Sequence, residues 1–224
     1  MAMADTGIGQ VSSVQIGAVA PLGPDGVPSG FVKRPVTGLV EARALGLVGD
    51  AQADLRVHGG PDKAVYGYAL SNYGAWAADF PEHGWRLRAG AFGENLTIDG
   101  VAESDLCVGD VHQIGSTLLQ VCQPRQPCFK LALRFEDPRL PPAMVMNGRA
   151  GWYYRVLTPG ALAAGDAVRL FERPNPGFAF TRLVAIVSGH RPSMDELARM
   201  ATMEGLAGWL QTRARRALDQ SIPA

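Results

Sequence analysis

The chain has 224 residues, 47% of them hydrophobic and 19% charged, which excludes a disordered or collagen-like protein and suffices for one large domain. Its 21 basic and 21 acidic residues cancel, which excludes a global electric field that attracts nucleic acid or an anionic membrane. Because no apolar run approaches the ~20 residues that span a bilayer, and no signal-peptide pattern opens the chain, we expect a cytoplasmic protein.

Glycine and proline punctuate the first 170 residues, and the stretches between them are rich in β-branched and aromatic side chains. This pattern predicts many short strands joined by tight turns, which either a barrel or a sandwich accommodates. Helices are predicted over residues 71–80, opening with a capping Ser71, and over residues 128–135. The predicted strands cover residues 11–19, 54–58, 64–70, 94–98, 111–114, 118–122, 152–156 and 167–171.

The pattern of the sequence changes after residue 172, from strand-like segments to a linker and helical segments. Two prolines within residues 173–177 cannot continue a strand ladder, because proline lacks the backbone donor, so this segment is interpreted as a linker. Ser193 and Glu196 then form a capping box, and apolar residues recur at spacings of three or four. Three helices are predicted, over residues 178–187, 193–200 and 204–218. Their apolar faces close either within the chain or across a homodimer.

The three cysteines are Cys107, Cys122 and Cys128, and their spacing fits neither a disulfide framework nor a usual zinc site. Cys107 and Cys122 lie in apolar runs and suit buried positions. Cys128 instead follows two prolines that stiffen the turn, with Arg125 and Lys130 on either side. These cations, and a helix beginning at the next residue, favour the thiolate, which is a nucleophile and a metal ligand. Core filling is the alternative for Cys128.

Two glycine-rich turns carry polar residues that suit a ligand. The first contains His58, Gly59 and Lys63, and successive glycine amides beside a lysine can receive an anion. A P-loop is excluded, because no Gly-Lys-Ser/Thr sequence follows. In the second turn, Asn95 either hydrogen-bonds the edge of a heterocycle or stabilises the turn itself. An ordinary structural role is the alternative for the first turn as well.

Taken together and in this order, the landmarks of the sequence resemble the MOSC family, the domain related to the C-terminal part of molybdenum cofactor sulfurases. The resemblance covers roughly residues 30–172, and the helical tail resembles the three-α extension of the YiiM-type branch. The landmarks are Lys33 ahead of Pro35 and the segments 46–50, 52–54, 58–65, 93–96, 108–110 and 124–128.

The resemblance implies a mainly β (α+β) fold, with a MOSC β-barrel that carries short helical insertions and a small C-terminal three-helix domain. Residues 1–29 would be an extended segment that joins the barrel, and residues 30–172 the barrel itself. Residues 173–177 would link it to a three-α domain at 178–224. Residues 138–148 have no derived role; they form either a mobile lid or an ordinary surface loop.

The resemblance also implies a molybdenum cofactor, in which a pyranopterin carries the metal. Cys128 takes the position of the metal-ligating and catalytic cysteine, and its thiolate supplies charge and covalency that a neutral histidine cannot. Lys130 either balances cofactor charge or forms a surface salt bridge. Pyridoxal phosphate is not expected. The residues that the resemblance assigns to cofactor binding are Lys33, His58, Gly59, Lys63, Asn95, Arg125 and Lys130.

The activity implied is the reduction of small N-hydroxylated compounds, including hydroxylaminopurine-type base analogues. The chain has neither the four cysteines of an iron–sulfur cluster nor a dinucleotide fingerprint, so a separate flavin-containing reductase is the expected electron donor. No nucleic acid polymer and no membrane is expected as a partner. One alternative is a sulfur carrier that uses a Cys128 persulfide. Another is a non-catalytic module that binds a small anion and a protein.

Overall fold

The strands of the protein are short, as the spacing of glycine and proline predicts. The structure is a computed structural model that describes residues 7–55 and 59–220. In chain order the strands are β1 (Gly9–Ile16), β2 (Ala20–Leu22), β3 (Val27–Ser29), β4 (Arg34–Val36), β5 (Val40–Arg43), β6 (Gly46–Leu47), β7 (Val65–Ala69), β8 (Leu96–Asp99), β9 (Val111–Ile114), β10 (Thr117–Pro124), β11 (Trp152–Thr158), β12 (Gly160–Leu162) and β13 (Ala167–Glu172). The helices are α1 (Asn72–Asp79), α2 (Phe129–Phe135), α3 (Leu140–Asn147), α4 (Phe180–Val187), α5 (Met194–Thr202) and α6 (Gly208–Asp219).

Seven of these strands close into a barrel, in the spatial order β13, β9, β10, β11, β7, β8 and β1. Closure comes from β1, which pairs antiparallel with β13 so that Gly9 lies opposite Val168. A bulge between Val11 and Ser13 bends β1, which also pairs with β8 and β4. The only parallel neighbours in this sheet are β7 and β8, within the described residues. The sequence analysis left a barrel and a sandwich open, and the structure has a barrel. The prediction of a mainly β fold is confirmed.

The core of the barrel continues into the C-terminal helices. Val11 and Val14 of β1 have no exposed surface, and neither have Phe180 and Leu183 of α4. All four belong to one buried apolar cluster. Burial of apolar surface against the barrel therefore closes the apolar faces of the helices within the chain. The division into domains stays a prediction.

The three predicted C-terminal helices are confirmed, with ends shifted by a few residues. The predicted capping box opens α5: the Ser193 amide donates to Glu196 Oε2 at 2.7 Å, and the Glu196 amide donates to Ser193 Oγ at 3.1 Å. Helix α1 begins as predicted after Ser71, but the Ser71 side chain makes no capping hydrogen bond. Among the residues that the structure describes, no helix has the length and apolar character needed to cross a bilayer.

Within residues 138–148, which were predicted as a lid or a surface loop, Leu140–Asn147 form helix α3. Prolines at its second and third positions cost little, because the amides of the first helical turn have no partner within the helix. Leu140 and Met144 are buried with Trp76 and Phe135 in a second apolar cluster. This burial stabilises the helix, although the Pro-Pro sequence favours a loop.

The strand predicted over residues 54–58 is wrong for its first two residues. Asp54 is irregular and Leu55 is helical, while residues 56–58 lie outside the described residues. The remaining predicted strands are present with shifted ends. The short strands β2 to β6 and β12 were not predicted, because segments of two to four residues show no usable alternation.

A histidine lies in the barrel core. The side chain of His112 in β9 is fully buried, and its Nδ1 lies 2.7 Å from the Tyr154 hydroxyl. Its Nε2 is buried with no hydrogen-bond partner among the described residues. Burial, which disfavours the charged ring, lowers the pKa of His112 to about 4.

This histidine should make the protein less stable in mild acid. Between pH 6.5 and 4 the unfolded chain binds a proton that the folded imidazole does not, so the free energy of unfolding falls by about 1.4 kcal/mol per pH unit, or about 3 kcal/mol in total. Urea denaturation of wild type and His112→Gln between pH 7 and 4.5 measures this slope. The exposed His190, changed to Gln, is the control. Equal slopes for wild type and His112→Gln would contradict the prediction.

Candidate active site

Cys128 opens onto a pocket whose charged side chains are all cationic: Lys33, Lys63, Arg125 and Lys130. The uncharged part of the lining consists of Ser29, Gly30, Phe31, Ala51, Gln52, Ala53, Tyr66, Gly93, Asn95 and Tyr153. These residues come from segments far apart in the chain, which the closed barrel brings together. The pocket therefore combines one thiol with positive charge and aromatic walls.

Cys128 differs from the other two cysteines in its surroundings. It is the N-cap residue of α2, so the predicted helix does begin at Phe129, and the Cys128 side chain makes no capping hydrogen bond. Cys128 is half-buried, whereas Cys107 and Cys122 are buried, as predicted. Burial raises the pKa of both Cys107 and Cys122, which keeps them as thiols. Cys128 is thus the cysteine whose sulfur is available to a ligand in the pocket.

Lys33 and Asp50 form a buried ion pair beneath the pocket. Their side chains are only 7% and 5% exposed, and Lys33 Nζ donates to Asp50 Oδ2. Asp50 also accepts hydrogen bonds from the Gly17 amide at 2.9 Å and from Asn95 Nδ2 at 2.9 Å. Desolvation lowers the pKa of Lys33 despite the neighbouring carboxylate. Most of the charge of Lys33 is therefore balanced within the protein.

The amide of Asn95 fastens strands together. Besides Asp50, its Nδ2 donates to Gln15 O at 3.1 Å, and its Oδ1 accepts the Tyr66 amide at 3.1 Å. Both amide hydrogens are thus engaged. Asn95 lines the pocket, but its hydrogen bonds match the turn-stabilising interpretation of this residue rather than recognition of a heterocycle.

Arg125 is a buried cation without a carboxylate partner among the described residues. The residue is 7% exposed, and its guanidinium lies over the rings of Phe31 and Tyr66, 4.9 Å from each centroid. Its Nη1 donates to Phe92 O. The aromatic faces, the carbonyl and a hydrogen bond with the Tyr66 side chain stabilise the cation but carry no negative charge, and a buried charge without a counterion is costly. An anion bound beside Cys128 would supply the missing charge.

The Gly59–Lys63 turn, residues 59–63, is fixed by Asp62. Its carboxylate accepts hydrogen bonds from Arg155 at 2.5 and 2.8 Å and from the Gly208 amide at 3.1 Å, and its backbone carbonyl accepts Gln123 Nε2 at 2.7 Å. Barrel strands and helix α6 therefore hold this turn in place. Lys63 is half-buried, and desolvation lowers its pKa.

The structure thus brings most of the predicted site residues together. Lys130 reaches the rim of the pocket, where its Nζ donates to Pro28 O at 2.9 Å rather than forming a salt bridge. Gly59 lines an adjacent pocket instead, and His58 lies outside the described residues. The sequence analysis did not predict the aromatic side of the pocket. The one signal for it is that Tyr66 and Tyr153 each lie in a run of aromatic residues, and the strands that contain them pair in the structure.

The fold and the site together define a closed β-barrel protein with an accessible cysteine in a cationic pocket. The family model of the MOSC domain matches residues 54–169, about half of the chain. Protein YiiM of Escherichia coli (strain K12) is 38% identical over 201 residues, which are 89% of each protein. The chain therefore belongs to the MOSC family.

Three further proteins are similar to this chain in sequence or in structure. A protein named Reductase from Gibberella moniliformis is 36% identical over 173 residues, which cover 77% of this chain but only 31% of that longer protein. The crystal structure of YiiM from Geobacillus stearothermophilus has a TM-score of 0.77 and 30% identity, covering 94% of this chain and 99% of its own. The crystal structure of YiiM from Escherichia coli has a TM-score of 0.76 and 31% identity, with coverage of 92% and 94%.

Proposed function

We propose that this protein binds a molybdenum cofactor through Cys128 and reduces small N-hydroxylated compounds, including hydroxylaminopurine-type bases. Membership of the MOSC family and similarity to a protein named Reductase support an oxidoreductase. The observation that carries the proposal is the buried Arg125, a cation with no carboxylate partner among the described residues, in the same pocket as Cys128.

The residues of the pocket fit a cofactor with an anionic, sulfur-bound metal group. A cysteine thiolate is a strong ligand for such a metal, and Cys128 Sγ is not used in capping. Arg125 and Lys130 form no salt bridge within the described part of the chain, so their charge is available to a phosphate or to oxygen atoms. The aromatic rings of Tyr66 and Tyr153 give the pterin an apolar wall.

When bound, the cofactor would supply the two-electron chemistry that breaks the N–O bond. The chain would supply the rest. Cys128 anchors the metal, and Arg125 holds negative charge in place. Reduction of R–NHOH to an amine and water consumes two electrons and two protons. Because desolvation lowers the pKa of Lys63, its ammonium gives up a proton more readily than an exposed lysine, and we assign it the delivery of one proton.

We propose that the electrons come from another protein. The chain has three cysteines, too few for a four-cysteine cluster, so we propose a separate flavin-containing reductase as the donor. We place the reaction in the cytoplasm, where thiols stay reduced; the free state of all three cysteines supports this.

The proposal is tested by expressing the protein in a host that makes pterin cofactor. The purified protein should contain molybdenum and pterin in stoichiometric amounts and should reduce hydroxylaminopurine with an artificial electron donor. A Cys128 persulfide without molybdenum would instead support the sulfur carrier. Protein with neither group, and without reductase activity in the presence of added cofactor, would overturn both.

A further inference from the structure

A second pocket adjoins the Cys128 pocket, and Lys63 lines both of them. Three separate parts of the chain form it: the Gly59–Lys63 turn, the segment that leads to Cys128, and helix α6. From the second of these come Gln123 and Gln126, and from α6 comes Trp209. A molecule in this pocket therefore lies directly beside the thiol pocket.

The ring of Trp209 is fixed by hydrogen bonds. Its Nε1 donates to Gln123 Oε1 at 2.6 Å, and Gln123 Nε2 donates in turn to Asp62 O at 2.7 Å. The preceding residue, Gly208, donates its amide to Asp62 Oδ2 at 3.1 Å. The polar edge of the indole is thus satisfied inside the protein, while 39% of the residue stays exposed. An aromatic surface held in this way can stack on a planar ring at little entropic cost.

Gln126 provides a polar contact in the same pocket. It is exposed, and its side chain forms no hydrogen bond within the described ranges. The amide offers a donor and an acceptor side by side, which matches the donor and acceptor on the edge of an aminopurine ring. Pro124 and Pro127 flank the segment and limit its backbone freedom.

We propose that this second pocket binds the planar heteroaromatic ring of the substrate, an aminopurine-type base. Trp209 stacks on the ring and Gln126 hydrogen-bonds its edge, so that the N-hydroxyl group reaches past Lys63 into the Cys128 pocket. The link to turnover rests on the proposed reductase function, whereas binding of the ring does not. The C-terminal helices thereby determine which N-hydroxylated compounds the protein prefers.

Binding of adenine to the purified protein, measured by calorimetry, tests the ring site without requiring catalysis. Trp209→Ala should bind adenine about tenfold more weakly or worse, because stacking of a base on an aromatic side chain contributes about that much. Trp209→Phe keeps a stacking surface and should stay within about threefold of wild type. Gln126→Ala should weaken binding of adenine but not of unsubstituted purine. The matched control is Trp85→Ala, since Trp85 is 71% exposed and does not line the pocket.

Kinetics on the cofactor-loaded protein separate this proposal from the reductase proposal. Trp209→Ala should lower kcat/KM for hydroxylaminopurine about tenfold. Its kcat/KM for hydroxylamine, which has no ring, and its molybdenum content should match wild type. Adenine binding that is absent in wild type, or equal in wild type and Trp209→Ala, would overturn the ring site. Trp209-dependent adenine binding without reduction of either compound would overturn the reductase and leave the ring site standing.

Discussion

Replacing Cys128 by alanine should remove bound molybdenum and lower the turnover of N-hydroxylated substrates at least about 100-fold, because losing even an outer-shell partner of a metal costs about 10- to 100-fold. The folded state should hardly change. Cys128 is half-buried and its side chain makes no capping hydrogen bond, so the free energy of unfolding of the cofactor-free variant should stay within about 0.5 kcal/mol of wild type. Metal analysis, kinetics and urea denaturation measure the three quantities.

The other two cysteines supply the controls. Cys107→Ala and Cys122→Ala should keep both molybdenum and turnover. Cys122→Ala should lose about 1 kcal/mol of stability, because its sulfur is fully buried and donates to Asp62 O at 3.1 Å. Cys128→Ser tests the sulfur itself, since a serine hydroxyl of similar size does not ionise as a thiol does; it should also lack metal. Loss of molybdenum from Cys122→Ala alone would contradict the assignment of Cys128.

The sequence predicts local elements of this fold better than their assembly. Strand β11 is visible as a run of aromatic and β-branched residues, and strand β9 as a short segment between Gly109 and Gly115. Closure of the barrel is not visible, because it depends on pairing Gly9 with Val168, and no local pattern encodes a contact across most of the chain. Helix α3 was missed for a related reason, since its stability comes from tertiary burial of Leu140 and Met144.

The candidate site likewise has residues that the local sequence predicts and residues that only the assembled fold reveals. Cys128 is predictable because two prolines and two cations lie within a few residues of it. The surroundings of Arg125 are not, because Phe31 and Tyr66 reach it from other strands and loops. Trp209 is a further example. Its helical spacing indicates only an apolar helix face, whereas the structure places it in the pocket beside the Gly59–Lys63 turn.

Replacing Asp50 by asparagine should destabilise the cofactor-free protein by about 3–5 kcal/mol, because it leaves the Lys33 ammonium buried without its partner. Asparagine keeps one oxygen that can accept the Gly17 amide, but its Nδ2 replaces the oxygen that accepts from Lys33 Nζ and Asn95 Nδ2, so the change removes the charge together with these two contacts. For a protein of this size the loss corresponds to a decrease in Tm of about 10 °C. Urea denaturation at pH 7 and thermal unfolding measure the effect. A loss below about 1 kcal/mol would show that the pair contributes no more than an exposed salt bridge.

The double variant Lys33→Met/Asp50→Asn isolates the unpaired cation. It should recover much of the stability that Asp50→Asn loses, because neither charge of the Lys33–Asp50 pair remains. A pH series gives an independent measure. Burial already lowers the pKa of Lys33, and loss of the carboxylate lowers it further. As the pH rises, Lys33 therefore loses its proton in the folded variant before it does so in the unfolded chain. Stability of Asp50→Asn should therefore rise as the pH approaches the unfolded lysine pKa of ~10.4, and its deficit from wild type should shrink between pH 7 and pH 9. A deficit that stays constant over this range, and persists in the double variant, would assign the loss to the hydrogen bonds of Asp50 rather than to the buried charge of Lys33.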